Sequence, residues 1–237
     1  MFIKLGNYMK TYQGERAIIS LTSWKKRIST VGLTIFSLMK QCPGFHIVLV
    51  LSEDEFPTKE LELPMDIKVL VARDKIELLW CRENLKSLKK VLYTMDKYKE
   101  VPIISADDDC LYVCNYAQEL YDLWQRNPNK VCTVNAQQPK HTNGTATLYF
   151  PHCFGDDVLS ELRSNTHLDT YMHADDAYYE VLRDRYKCEI AYLPPHKIWV
   201  THNDTEPLHN FYGRPGFIDN MRSTIQYEDV GGHDLGL

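Results

Sequence analysis

Apolar and polar positions fall in blocks along most of the chain, and the period changes from block to block. Ala17–Leu21 is a short Ile-rich run that breaks into the polar Thr22, Ser23, Trp24, Lys25, Lys26 and Arg27, the pattern of a strand feeding a loop. Behind Ser29 and Thr30, either of which can cap a helix, Val31, Ile35, Leu38 and Met39 recur at helical spacing until Cys42, Pro43 and Gly44 stop them. A second strand is predicted at His46–Leu51, then an acidic, proline-bearing connection from Glu53 to Pro64, then a third strand at Ile67–Val71. From Arg82 to Tyr98 the residues Leu85, Leu88, Leu92 and Met95 share one face while Lys86, Lys89, Lys90 and Lys97 lie off it, which predicts an amphipathic helix. It leads by a right-handed crossover into a strand at Val101–Ser105.

Further on, a helix is predicted at Tyr116–Asn127, a strand at Lys130–Val134, a helix at Asp175–Tyr186 and a strand at Glu189–Leu193, closed by Pro194 and Pro195. Asn135–Gly155 is rich in polar, aromatic and turn residues and reads as a binding loop or small hairpin rather than core. Beyond His202 no clear period remains, and the segment reads as a tail that orders on a ligand. Strands alternating with helices imply an α/β fold with a mostly parallel central sheet flanked by helices.

Composition narrows the class. The 237 residues, 44% hydrophobic and 25% charged, suit one globular domain rather than a disordered or fibrous chain. A formal charge of −5 supplies no global field for nucleic acid, so no nucleic-acid partner is expected. Met1–Arg16 lacks the continuous apolar core of a signal peptide and no stretch is long enough to span a bilayer, so a cytoplasmic location is expected, with room for peripheral contact at the inner face of the cell membrane. Seven cysteines without a Cys-x-x-Cys pair suggest reduced thiols, and neither Cys110 with Cys114 nor His152 with Cys153 has structural zinc spacing. The glycosylation sequons at Asn143 and Asn203 matter only in a secreted protein and are discounted.

The candidate chemistry centres on Asp107, Asp108 and Asp109, which follow the apolar run from Val101. Carboxylates at the outgoing end of a buried strand deliver hard oxygen ligands to the sheet edge where open α/β folds bind ligands. In an extended segment, residues two apart face the same side, so Asp107 and Asp109 are expected to converge on one divalent cation while Asp108 points elsewhere. At the end of the first strand, Thr22 and Ser23 offer hydroxyls to a base or ribose, Trp24 a stacking surface, and Lys25, Lys26 and Arg27 positive charge to phosphates, although a solvated polar loop reads equally well from these residues alone. Lys86 and Lys90 lie one turn apart; Lys86 is the preferred diphosphate contact, against the plainer reading of a solvated face. Asp175 and Asp176 open a helix, where carboxylates serve as caps or, poised over a bound donor, as a general base. His202 follows the apolar Ile198–Val200 and is a candidate nitrogen ligand or a surface histidine. No Walker loop or Gly-x-Gly-x-x-Gly is present, which disfavours P-loop phosphotransfer and dinucleotide binding.

Taken in order, the segments at 19–24, 84–90, 105–109 and 173–177 resemble the GT-A family of nucleotide-sugar glycosyltransferases. The likeness runs over residues 16–205 and is greatest to small bacterial enzymes that build capsule, other surface polysaccharide or lipopolysaccharide. It implies a Rossmann-like GT-A single domain over 1–237, with a nucleotide-binding half at 1–110, an acceptor-binding half at 111–205 and a flexible tail at 206–237. It further implies that the triplet is a DXD motif: Asp107 and Asp108 near the nucleotide sugar, and Asp107 and Asp109, with His202, on Mn²⁺ or Mg²⁺ bridging both phosphates. Thr22, Ser23, Trp24, Arg27 and Lys86 then fall at the nucleotide sugar, with UDP as the expected nucleotide. Asp176, beside Asp175, becomes the base for a hydroxyl of a glycan or lipid-linked glycan acceptor if the enzyme inverts, and Tyr212 and Arg214 are placed to close over the donor. Two other classes stay open: a metal-dependent nucleotidyl- or phosphotransferase using the same carboxylates, and a non-catalytic glycan-binding domain drawing on the 15 Tyr and 4 Trp.

Overall fold

The computed structural model describes residues 16–134, 142, 144–164, 172, 175–194 and 198–201, with the backbone alone for Ala177 and Trp199. Its centre is a seven-stranded sheet in the order β3-β2-β1-β4-β7-β6-β8. The strands are β1 (Ala17–Thr22), β2 (Phe45–Ser52), β3 (Glu77–Cys81), β4 (Ile103–Ala106), β6 (Lys130–Val134), β7 (Thr147–Tyr149) and β8 (Glu189–Leu193). β1 pairs in parallel with β2 and β4, β2 with β3, and β6 with β8, whereas β7 runs antiparallel to β4 and β6. Because β1 and β2 are covered on both faces, their sequences read as continuous apolar runs rather than alternating ones. Six helices are described: α1 (Val31–Leu38), α2 (Met65–Ala72), α3 (Lys89–Lys97), α4 (Tyr116–Arg126), α5 (Val158–Ser164) and α6 (Asp175–Arg185). A small antiparallel ribbon joins β5 (Cys110–Tyr112) to β9 (Trp199–Thr201). Among the described residues no helix is long and apolar enough to cross a membrane.

Several elements differ from the sequence pattern. The segment expected as a third strand, Ile67–Val71, is part of helix α2. Ile67, Val69 and Val71 mimic a period of two, but Ile67 and Leu70 are the pair that is buried, three apart on one helical face, and the helix starts directly behind Pro64. The third strand is Glu77–Cys81 instead. The long helix expected from Arg82 begins only at Lys89: Asn84 Oδ1 accepts the Lys86 N–H at 3.1 Å, Lys86 adopts φ 50°, and a 3-10 turn over Lys86–Leu88 intervenes. Nor are its lysines all solvated, since Lys89 and Lys90 are buried. The cap expected at Ser29 or Thr30 makes no side-chain bond into α1; the Thr30 hydroxyl donates to Arg27 O instead.

The segment expected to be loop rather than core holds β7 in the middle of the sheet. Its polarity is absorbed internally: the hydroxyls of Thr133 and Thr147 share a bond at 2.8 Å, and Ser105 Oγ donates to Thr147 O and accepts from Thr147 N–H. The triplet Asp107–Asp109 forms the turn between β4 and β5 and is not extended, so the two-residue alternation does not govern it.

Candidate active site

β1 and β4 are parallel neighbours, with Leu21 opposite Ala106. The chain therefore leaves β1 at Thr22 and Ser23 beside the point where it leaves β4 at Asp107 and Asp108, at the carboxyl edge where such sheets carry ligand sites. Ser23 Oγ donates to Asp108 Oδ2 at 2.6 Å, Arg27 Nη2 lies 2.5 Å from Asp108 Oδ1, and Arg27 Nη1 donates to Asp109 Oδ2 at 2.7 Å. Thr34 of α1 donates to the Asp108 carbonyl at 2.9 Å. Asp108 is thus turned inward, 2% exposed, with both oxygens engaged. Burial pushes its carboxyl up to about 6 against the pull of Arg27 and Ser23.

Asp107 is held differently. Its Oδ1 accepts from Lys90 Nζ at 2.6 Å and its Oδ2 from Thr145 Oγ1 at 2.6 Å, while its N–H donates to the Tyr112 hydroxyl, which in turn donates to Thr145 O. Burial alone raises an acid, but Lys90 and Thr145 outweigh it and hold Asp107 below the usual carboxylate range. The same Lys90 Nζ lies 3.3 Å from Asp175 Oδ2, so the ammonium touches both acidic clusters.

Asp176 is the next residue along α6, and its Oδ1 accepts the Gly144 N–H at 2.8 Å. Burial, then the charge of Asp175, push the Asp176 carboxyl up to about 7, against the pull of Lys90. A Cβ at position 144 would stand 2.6 Å from Asp176 Oδ1, so a side chain there would have to shift the carboxylate. Nearby, Thr142 gives both its N–H and its hydroxyl to Glu180 Oε1, which ties Thr142 to α6. The Tyr149 hydroxyl is buried without a hydrogen-bond partner among the described residues, and the Asp176 and Asp175 charges both act on it.

Of the other residues singled out in the sequence, Thr22 gives its hydroxyl to Val50 O at 2.7 Å, within the sheet. Trp24 is half-buried with Lys26 Nζ 5.2 Å from its ring centre, and its Nε1 has no partner among the described residues. Arg27 is bound to the carboxylates themselves. Lys86 is exposed and left-handed at the start of the 3-10 turn that precedes α3; Lys90, not Lys86, reaches the site. His202, Tyr212 and Arg214 lie outside the described residues, although Thr201 pairs with Cys110, the residue after Asp109. Gly144, Thr145 and Tyr112 carry no signal in the sequence, and Lys90 stands there only as the partner of the preferred Lys86. The one local signal for Lys90 is Thr94, a small buried residue one turn later that widens the inward face of α3.

Among the described residues no trio of His, Cys, Asp or Glu is set to hold a metal. The donor chemistry still fits a divalent cation completed by a substrate. Asp107 and Asp109 are 32% and 17% exposed, and hard carboxylate oxygens suit Mg²⁺ or Mn²⁺ held by one or two carboxylates plus substrate phosphates.

No protein-family model matches the chain, and no curated protein matches it in sequence. In structure it is similar to S. aureus TarS 1–349 in complex with UDP-GlcNAc, with a TM-score of 0.59 and 13% identity, covering 90% of this chain and 66% of that one. It is likewise similar to the mannosyltransferase PcManGT from Pyrobaculum calidifontis in complex with GDP-Man and Mn²⁺, with a TM-score of 0.55 and 11% identity, covering 90% and 64%. A longer S. aureus TarS structure gives a TM-score of 0.55 at 12% identity; the chain covers 39% of its length. The fold is that of GT-A nucleotide-sugar glycosyltransferases, α/β with a mostly parallel central sheet.

Proposed function

We propose that this chain is a metal-dependent glycosyltransferase that moves a sugar from a nucleoside diphosphate sugar, with UDP the favoured nucleotide, to a hydroxyl of a glycan or lipid-linked glycan. The observation that carries this reading is the meeting of two acidic clusters from separate elements, Asp107–Asp109 after β4 and Asp175–Asp176 at the start of α6, around one buried lysine. The UDP-GlcNAc bound to TarS and the GDP-Man and Mn²⁺ bound to PcManGT support it on the same fold.

Asp109 and Asp107 are the residues that would hold Mn²⁺ or Mg²⁺, and His202 is a further candidate ligand. The ion, when bound, neutralises the charge that develops on the departing diphosphate. Ser23 and Arg27 keep Asp108 and Asp109 in place, and Thr22 and Trp24, at the end of the same strand, would border the nucleotide. On the acceptor side, Gly144 engages Asp176 Oδ1 and leaves Oδ2 to take the proton of the attacking hydroxyl. A single base on that side suits inversion at the anomeric carbon. Residues 1–110 then bind the nucleotide and 111–205 the acceptor. The enzyme acts in the cytoplasm or at the inner face of the membrane, in bacterial capsule, surface-polysaccharide or lipopolysaccharide synthesis.

A panel of UDP-, GDP- and CMP-sugars incubated with Mn²⁺ or Mg²⁺ tests the reading. Metal-dependent release of nucleotide with the sugar transferred to water or a glycan is expected. Release of the sugar 1-phosphate, with the nucleoside monophosphate passed to an acceptor or to water, would point to nucleotidyl transfer, and glycan binding without metal or nucleotide would point to a lectin-like module; either overturns the proposal.

A further inference from the structure

Lys90 joins the two acidic clusters, and its burial makes that junction rigid. The side chain is 3% exposed, with its ammonium 2.6 Å from Asp107 Oδ1 and 3.3 Å from Asp175 Oδ2. Its backbone is fixed as well. The Ser20 hydroxyl of β1 bonds to the Lys90 carbonyl and lies 2.7 Å from Thr94 Oγ1, and the Tyr179 hydroxyl of α6 donates to Leu88 O at 3.3 Å. The first turn of α3 is thereby pinned to β1 on one side and to α6 on the other. A Cβ at Gly144 would stand 3.5 Å from the Lys90 ammonium and 3.6 Å from Asp175 Oδ2, so Gly144 lies against this junction.

We propose that Lys90 is a positioning residue: its ammonium holds Asp107 of the donor side and Asp175 of the acceptor side on one cation, and so sets the spacing between the departing diphosphate and the base Asp176. This rests on the glycosyltransferase reading above. A surface lysine would serve poorly, because an exposed ion pair is loose and weak. A buried one is committed, since losing the ammonium leaves Asp107 and Asp175 facing each other without its counter-charge. Spacing matters because the hydroxyl must be deprotonated as the bond to the diphosphate breaks, and a misplacement of about 1 Å can cost on the order of 100-fold in rate. Asp175, one residue from the base on α6, also needs a counter-charge if it is not to repel Asp176.

The test compares wild type, Lys90→Gln, Asp175→Asn and the double variant, the last removing both charges of the Lys90–Asp175 pair while Asp107 keeps the Thr145 hydroxyl, and a melting curve of each variant establishes that it folds. Three quantities are measured: turnover on the best donor from the sugar-nucleotide panel, donor KM, and affinity for UDP with Mn²⁺ by calorimetry. If Lys90 acts through Asp175, Lys90→Gln loses roughly 10- to 100-fold in kcat while KM and UDP–Mn²⁺ affinity move within about threefold, and the double variant is no slower than the slower single. Normal turnover in Lys90→Gln overturns the proposal. So do multiplicative losses in the double variant, or a loss confined to KM and UDP affinity. A wild-type chain that transfers no sugar from the panel refutes the glycosyltransferase reading, and the role of Lys90 with it, whereas a transferring wild type beside an unimpaired Lys90→Gln refutes the role of Lys90 alone.

Discussion

The Gly144 N–H is hydrogen-bonded to Asp176 so closely that any side chain at position 144 would crowd the carboxylate. The Gly144 N–H donates to Asp176 Oδ1 at 2.8 Å, and a Cβ added there would stand 2.6 Å from the same oxygen. Gly144→Ala must therefore displace the Asp176 carboxylate or the backbone beside it. We expect a fall of about 10- to 100-fold in turnover, with Mn²⁺-dependent UDP affinity close to wild type because Asp109 is untouched. Steady-state kinetics beside calorimetry separates the two effects, and an unchanged kcat in Gly144→Ala would show that Asp176 does not act from this position.

On the donor side, Asp109 is the more dispensable of the carboxylates for folding. It shares Arg27 with Asp108, which keeps both the guanidinium and Ser23 when Asp109 is gone. Asp109→Ala should abolish Mn²⁺-dependent binding of UDP while leaving the melting temperature near that of wild type. Undiminished UDP–Mn²⁺ affinity in a calorimetric titration would remove Asp109 from the metal site.

The backbone of the nucleotide side was legible in the sequence because β1, β2 and β4 are enclosed on both faces, and such strands cannot avoid reading as apolar runs. Ile67–Val71 was not, since its β-branched residues fit a period of two and only contact with the core decides that Ile67 and Leu70 face inward on α2. The acidic clusters stood out as runs of like charge. Their connection did not, because a buried lysine and a solvated one are the same letter; Lys90 differs from Lys86 only in what surrounds it. The tight fit at Gly144 likewise arises from α6, 32 residues further along the chain.

Ser23 offers a test of how the triplet is supported. Its hydroxyl donates to Asp108 Oδ2 at 2.6 Å in a fully enclosed setting, and a bond to a carboxylate that is cut off from water is worth more than one at the surface. Ser23→Ala is expected to destabilise the fold by about 1–3 kcal/mol, read from urea unfolding. Loss of less than a few tenths would mean that Arg27 alone suffices to hold Asp108.

The ionisation of Asp176 should appear twice, in catalysis and in stability, with opposite consequences. As the proposed base it must be deprotonated, and burial with Asp175 beside it pushes its carboxyl from the ordinary 3.8 up to about 7. In the absence of bound metal and nucleotide the folded protein thus keeps a proton that the unfolded chain has already released. Its contribution to stability is fully present below the ordinary carboxylate value and is lost as pH rises towards about 7. Asp176→Asn keeps an amide oxygen for Gly144 but carries no charge, so its melting temperature relative to wild type should climb between about pH 4 and pH 7 and level off above. Over the same range, kcat/KM of the wild type should rise through an ionisation near 7, and the residual activity of Asp176→Asn should lack that limb. Melting curves and pH–rate profiles of the two proteins measure both; a stability difference that stays flat from pH 4 to pH 8 would show that Asp176 is ionised like any surface carboxylate.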